Sequence, residues 1–301
     1  DSADALISWA KANGVGVRGH CLLWYKSLPS WLHDEFYGVA YSESVKASAY
    51  EYIGNHIETV MEHFGDDVYV WDVVNEALRN YVTAKNLTVT DGAPYGDIWR
   101  TNENMSDTSS EWVDWFKVTG GYEYIAYAFK KAAEVRAENH LNVELYYNDY
   151  SLNDPNKRQA CLNLIQMLKA NNAPIDGIGM QAHYKLSDYT ANKAGWIKNF
   201  EDSVKAFIEA GVDVQITELD IRFDGVLTEQ IEAEQAEMYG KIFEVVRKYA
   251  KTKGVEHGVT GVTLWGVYDG CNEAWGKDQY PLVFGSDKQP KQAYYAIIKF
   301  T

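Results

Sequence analysis

Two glutamates, Glu76 and Glu218, each follow a short apolar segment that reads as a β-strand. Glu218 lies in DVQITELD (213–220), where apolar and polar residues alternate as in a short strand that ends near its acidic residues. Glu76 lies in VWDVVNEAL (70–78), where an apolar run leads into Asn75 and Glu76. Hydrolysis of a glycosidic bond needs two carboxyl groups. One protonates the leaving oxygen, and the other attacks the sugar carbon or activates water.

A single glutamate at a strand end has a simpler explanation, because acidic residues there often cap the next helix or are solvated in a loop. The elements that carry the two glutamates therefore decide between the two interpretations. The predicted strands are the segment ending at Glu76 and the ranges 15–24, 143–147, 175–180, 213–220 and 259–267. The predicted helices are 2–13, 42–64, 122–139, 154–171, 196–210, 228–251 and 291–300, with a turn at 28–32.

Every one of these six strands is followed by a helix and has polar or aromatic residues at its C-terminal end. This order is typical of a parallel strand–helix barrel, whose active face is built from the loops after the strands. A closed barrel of this class has eight strands, so two strands are unaccounted for. The polar segment 79–120 is too long for an ordinary connection and is predicted to be a long loop insertion at the active face.

The composition favours an uncharged substrate. The chain of 301 residues is 46% hydrophobic, enough for one large domain, and its net charge of −15 disfavours nucleic acid and anionic membranes as partners. The 10 Trp and 22 Tyr suit stacking on sugar rings, although a large barrel also fills its core with aromatic residues.

The three cysteines have neither the number nor the spacing of a disulfide framework or a zinc site, so we expect buried thiols, no metal and no cofactor. No apolar run is long enough to span a membrane. The chain begins at Asp1 rather than Met, which is compatible with a removed signal peptide, and we expect a secreted protein.

Seven segments, in order and spacing across almost the whole chain, resemble glycoside hydrolase family 10, the endo-1,4-β-xylanases. They are RGHCLLW (18–24), WDVVNEAL (71–78), YNDYSL (147–152), GIGMQAHY (177–184), ITELDIRF (216–223), TLWGVYDG (263–270) and QPKQAYYAII (289–298). The resemblance implies an α/β fold, the TIM (β/α)8 barrel, with residues 1–301 as the catalytic domain and supplying strands 3 to 8.

The resemblance also implies the reaction and the residues that perform it. Glu76 would be the general acid/base and Glu218 the nucleophile of a retaining, endo-acting hydrolase that cleaves internal β-1,4-xylosidic bonds of xylan by double displacement. His183 would hydrogen-bond the nucleophile, and Asp220 would orient His183. Glu76 must hold a proton at neutral pH in the first step, while Glu218 must stay ionised.

Substrate contacts are implied for Asn75, which also supports catalysis, and for a further set of residues that consists of His20, Trp24, Tyr150, Gln181, Trp265 and Trp275. The chain departs from the family pattern directly after Trp24. The family usually reads His-Ser-Gln there, whereas this chain has Tyr25, Lys26 and Ser27. This difference affects a polar contact to the sugar on the non-reducing side and leaves the catalytic pair intact.

The family's first two strands, with an Asn and a Lys that grip sugars, have no counterpart after Asp1. An incomplete barrel would expose strand edges and core, so we expect an upstream segment or a second chain to complete it. A truncated protein is the alternative. Two other functions stay open: a β-glucanase of the same fold, and a carbohydrate-binding protein that has lost turnover.

Overall fold

The protein is described by a computed structural model, which covers residues 2–104, 112–271 and 279–300. These residues divide between two compact units. The first unit comprises Asp1–Asp149 and Gln159–Gly177, and the second comprises Tyr150–Arg158 and Ile178–Thr301. Within the described ranges, no helix is both long enough and apolar enough to cross a membrane.

Helices and strands alternate through most of the chain. In chain order they are α1 Ser2–Ala12, β1 Val17–Leu23, α2 Ser30–Phe36, α3 Glu43–Phe64, β2 Val68–Asn75, α4 Trp115–Thr119, α5 Glu123–Glu138, β3 Glu144–Asp149, α6 Pro155–Ala170, β4 Gly177–Met180, β5 His183–Lys185, α7 Leu186–Ala191, α8 Lys193–Glu209, β6 Asp213–Arg222, α9 Glu229–Lys248, β7 Val259–Leu264 and α10 Gln292–Ile297.

In the first unit, β2 pairs in parallel with β1 on one side and with β3 on the other. All residues of β2 except Tyr69 are buried, as expected for a parallel strand that is covered on both faces. Gly19 of β1 lies opposite Trp71, and a Cβ at Gly19 would come within 2.1 Å of the indole ring. A glycine is therefore required there for the two strands to pair beside the indole.

In the second unit, β6 pairs in parallel with both β5 and β7. All of β6 is buried apart from its last residue, Arg222, which is half-buried. The short strand β5 was not among the six predicted strands. It is three residues long, too short for the periodicity of side chains to reveal it, and it sets His183 opposite Asp220.

One local prediction was wrong. The range 28–32, expected to be a turn, leads into helix α2, because Pro29 takes the N-cap position and the residues after it are helical. In α1, Leu6 and Trp9 are both 59% exposed, whereas Ile7 and Ala10 are buried.

The segment 79–120 differs from a plain surface loop in its described parts. An antiparallel bridge joins Leu78 to Trp99, and the segment ends in helix α4. Its tip is exposed from Thr83 to Lys85 and from Thr88 to Gly92, as predicted. The part of the segment that follows the tip is buried, however. Its buried side chains are those of Ile98, Trp99, Arg100, Trp112, Val113 and Trp115. The polar composition of the tip gave no indication that the following part of the segment is buried.

Candidate active site

Glu76 lies directly after β2, where the chain leaves the sheet. Its φ of +56° is in the left-handed region, which a residue with a Cβ adopts at an energetic cost. Its backbone N–H donates to the Asn148 carbonyl of β3 at 2.9 Å, so the neighbouring strand holds this turn in place. The residue is 8% exposed, and the strand end therefore presents a nearly buried carboxyl.

Three side chains of the first unit surround that carboxyl. The Tyr25 hydroxyl donates to Glu76 Oε2 at 3.0 Å, and Asn75 Nδ2 donates to Oε1 at 3.3 Å. Arg100 Nη2 lies 4.0 Å from Oε2, and Arg100 Nε also donates to the Glu76 backbone carbonyl. Asn75 is oriented in turn by Asn148, whose Nδ2 donates to Asn75 Oδ1 at 3.1 Å. The carboxyl is thus held in one orientation.

His20 and Trp24 lie at the end of β1 beside this site. His20 Nδ1 is 2.9 Å from Asp72 Oδ2, and the other oxygen of that buried aspartate is paired with Arg18. The rings of His20 and Trp24 are 6.4 Å apart between centroids and tilted by 59°. Asp72, itself paired with Arg18, holds the His20 imidazole in one orientation. His20 can then offer its other ring nitrogen to a sugar, and Trp24 can offer its indole.

Glu218 lies within β6 of the second unit and is 5% exposed. His183 bridges two carboxylates: its Nε2 lies 2.9 Å from Glu218 Oε2, and its Nδ1 lies 2.8 Å from Asp220 Oδ2. Burial by itself lowers the pKa of His183. The hydrogen bonds that His183 makes to Asp220 and Glu218 outweigh this effect and raise the pKa to about 9. At neutral pH the imidazolium therefore donates to both carboxylates. An ionised Glu218 is the form that can act as a nucleophile.

Of the other predicted contacts in this unit, Gln181 and Trp265 lie near this group. Gln181 is buried, and its carbonyl accepts the Glu218 backbone N–H at 2.9 Å. Trp265 presents its ring to His183 at 5.5 Å between centroids, nearly perpendicular at 78°. Tyr150 is half-buried, with the Lys157 ammonium 3.6 Å from its ring centroid. Trp275 lies outside the described residues.

Each unit thus brings part of the predicted set together. The first unit gathers His20, Trp24, Asn75 and Glu76, and the second gathers Gln181, His183, Glu218, Asp220 and Trp265. Arg100 was missed, because nothing in the polar stretch around it suggests a buried cation beside a carboxyl. Tyr25 was noticed as a departure from the family pattern, but its hydrogen bond to Glu76 was not foreseen. Within the described ranges, no cluster of three or more His, Cys, Asp or Glu side chains could hold a metal ion.

The comparison with known proteins gives one family and many relatives. Residues 1–300 match the model of glycosyl hydrolase family 10. A β-1,4-xylanase of Dictyoglomus thermophilum is 35% identical over 99% of this chain and 74% of its own length. Endo-1,4-β-xylanase B of Paenibacillus barcinonensis is 31% identical over 99% of this chain and 81% of its own length.

Solved structures agree with these relatives. The crystal structure of xylanase XynB from Paenibacillus barcinonensis, in complex with a conduramine derivative, is 29% identical and has a TM-score of 0.75. That match covers 99% of this chain and 81% of the solved chain.

Proposed function

Because the chain belongs to glycosyl hydrolase family 10, we propose that it is an endo-1,4-β-xylanase that hydrolyses internal xylosidic bonds of xylan with retention of configuration. It has the TIM-barrel fold of that family, and both relatives described above are named β-1,4-xylanases. The structural observation that supports this function best is the pair of buried glutamates, each held by its own hydrogen-bonding group.

In the first step, a carboxylate oxygen of Glu218 attacks the anomeric carbon while Glu76 gives its proton to the glycosidic oxygen. The bond to the leaving sugar breaks, and a covalent glycosyl-enzyme forms. His183 holds Oε2 of Glu218 through its hydrogen bond while the nucleophile attacks. Asp220 holds the imidazole ring in that orientation through Nδ1.

In the second step, Glu76 is ionised and takes a proton from water as the water oxygen attacks the same carbon. The bond to Glu218 breaks, and the sugar leaves with the configuration it had in the polymer. Two inversions at one carbon give net retention. Anomer analysis by NMR on short xylo-oligosaccharides tests this directly, since an inverted first product excludes the mechanism.

For the substrate we propose that Trp24, Trp265 and Trp275 pack against the sugar at the cleavage position, while Asn75, His20 and Gln181 hydrogen-bond its hydroxyls. Tyr150 stacks on the leaving-group side. Aromatic faces and a few oriented polar groups are the usual means of sugar recognition. The Lys157 ammonium beside the Tyr150 ring fixes that ring against motion.

The test is incubation of the purified protein with xylan, carboxymethyl cellulose and mixed-linkage glucan, followed by measurement of new reducing ends. Xylan should be cleaved fastest, with a mixture of short products as expected of an endo-acting enzyme. Faster cleavage of either glucan would make the protein a β-glucanase. Binding of xylan without new reducing ends would make it a carbohydrate-binding protein.

Secretion is a further proposal that rests on the sequence. It is tested by locating the protein in fractionated cells of its source.

A further inference from the structure

The strongest feature that the proposed reaction leaves unused is the pair Tyr25 and Arg100 beside Glu76. Tyr25 stands at the first position where the chain departs from the family pattern, and Arg100 comes from the segment 79–120. Both contact the carboxyl that moves the proton. The proposed reaction assigns a task to Glu76 but not to either of these neighbours.

The direction of the hydrogen bonds in this group is fixed by chemistry. A guanidinium has no acceptor, so Arg100 Nη1, at 3.3 Å, donates to the Tyr25 oxygen. The hydroxyl hydrogen of Tyr25 is thereby directed to Glu76 Oε2 at 3.0 Å. Oε2 therefore accepts a hydrogen bond from Tyr25, while Oε1 accepts one from Asn75 Nδ2 at 3.3 Å.

The group is held rigidly. The Arg100 guanidinium lies over the Tyr25 ring, 4.6 Å from its centroid, and the Trp112 ring lies 4.9 Å from the same ring between centroids and nearly perpendicular to it. The Arg100 backbone N–H donates to the Ala77 carbonyl at 2.8 Å, which places the residue beside the turn that carries Glu76. Arg100 Nη1 also donates to Asn80 Oδ1 at 2.7 Å.

We propose that Tyr25 and Arg100 are positioning residues for the proton transfer: they anchor Oε2 of Glu76 and keep the protonated oxygen turned toward the glycosidic oxygen. This inference rests on the proposed function. Asp114 lines the same cleft. Burial raises the pKa of its carboxyl, which accepts hydrogen bonds from the backbone N–H groups of Asn102 and Lys117.

The test compares Tyr25→Phe and Arg100→Met with the wild type on xylan and on dinitrophenyl xylobioside. On xylan we expect kcat to fall about 10- to 100-fold, the effect of losing one hydrogen bond to a charged group. The initial release of dinitrophenol should stay close to the wild-type rate, because that leaving group needs no proton. Arg100→Lys, which keeps the charge, should recover part of the loss.

The comparison of the two substrates separates positioning from mere support of the fold. Damage to the fold would slow both reactions, whereas loss of positioning slows only the one that needs a proton. The matched controls are Tyr81→Phe and Arg79→Met, which alter a tyrosine and an arginine outside the hydrogen bonds of the Glu76 carboxyl. Both should keep the wild-type rate on xylan.

The outcomes are distinct. A wild-type protein that does not cleave xylan overturns the proposed function and this inference with it. An active wild type whose Tyr25→Phe and Arg100→Met variants keep its rate overturns the inference alone. Variants that lose dinitrophenol release as much as xylan hydrolysis also overturn it, because the pair would then support only the fold.

Discussion

At the scale of single residues, the second unit uses one imidazole to serve two carboxylates. His183 is bonded to Glu218 on one side and to Asp220 on the other, and the fully buried Asp220 would be costly to hold charged without a cation nearby. The imidazolium therefore stabilises a local cluster of negative charge in the part of the chain that supplies the nucleophile.

The two glutamates should respond differently to substitution. Glu76→Ala and Glu218→Ala should both abolish xylan hydrolysis, since each removes one half of the chemistry. With an activated phenol as leaving group, however, the Glu76 variant should still release a burst of phenol, because forming the glycosyl-enzyme then needs no acid. Stopped-flow absorbance measures the burst. Equal loss of the burst in both variants would contradict the assignment.

The raised pKa of His183 should make the stability of the protein depend on pH. The pKa is about 9 in the folded protein, against 6.5 for an unperturbed histidine. Protonated His183 therefore contributes stability in full below about pH 6.5. That contribution, on the order of 3 kcal/mol, should be lost as the pH rises to about 9.

Urea unfolding between these pH values measures the effect, with His183→Gln as the comparison. The free energy of unfolding of the wild type should fall more steeply with pH than that of the variant. Parallel curves would show that His183 is not held as a cation.

At the scale of elements, the segment 79–120 packs against the end of β1 and beside Glu76. Trp99 lies almost flat on Tyr122, with ring centroids 4.8 Å apart and planes 21° apart, and is 6% exposed. Val113 N–H donates to the Tyr25 carbonyl at 3.0 Å, and Trp115 Nε1 donates to the Trp24 carbonyl at 2.9 Å. The segment therefore supports the end of β1 as well as Glu76.

Replacing the whole segment with a short linker should consequently unfold this region, contrary to what its polar sequence suggests. A sharper comparison is Trp99→Ala against Val89→Ala. Loss of the buried indole should lower the free energy of unfolding by about 3–5 kcal/mol, whereas Val89, which is exposed, should change it by less than about 0.5 kcal/mol. Chemical denaturation measures both. Similar values for the two variants would mean that the segment packs loosely.

At the scale of the whole molecule, what the sequence reveals depends on the length of the pattern. The long helices α3, α5, α6 and α9 lie within one to three residues of the predicted ends, because their apolar faces repeat over many turns. Glu76 and Glu218 were predicted to be the catalytic pair from strand ends and motif spacing. The three-residue strand β5, the helix α2 and the contact between Arg100 and Glu76 depend on tertiary packing, which no local pattern encodes.

The existence of two additional strands stays a prediction. It rests on the fact that a closed barrel of this class has eight strands. If it holds, the 301-residue chain alone should unfold with low cooperativity and have little activity on xylan. Supplying two further strands, in the same chain or as a second one, should restore both together. Calorimetry and the reducing-end assay measure the two properties. Sharp, cooperative unfolding with full activity of the 301-residue chain would contradict this prediction.

The left-handed backbone at Glu76 sets thermal stability against activity for anyone who engineers this protein. At a φ of +56° glycine or asparagine is comfortable, whereas glutamate is under steric strain that the fold tolerates. A library selected for heat resistance alone should therefore accumulate Gly or Asn at this position, and those survivors would lack the carboxyl that moves the proton. Screens for thermal stability must therefore measure activity from the first round, because a substitution at this position that raises stability removes the catalytic carboxyl.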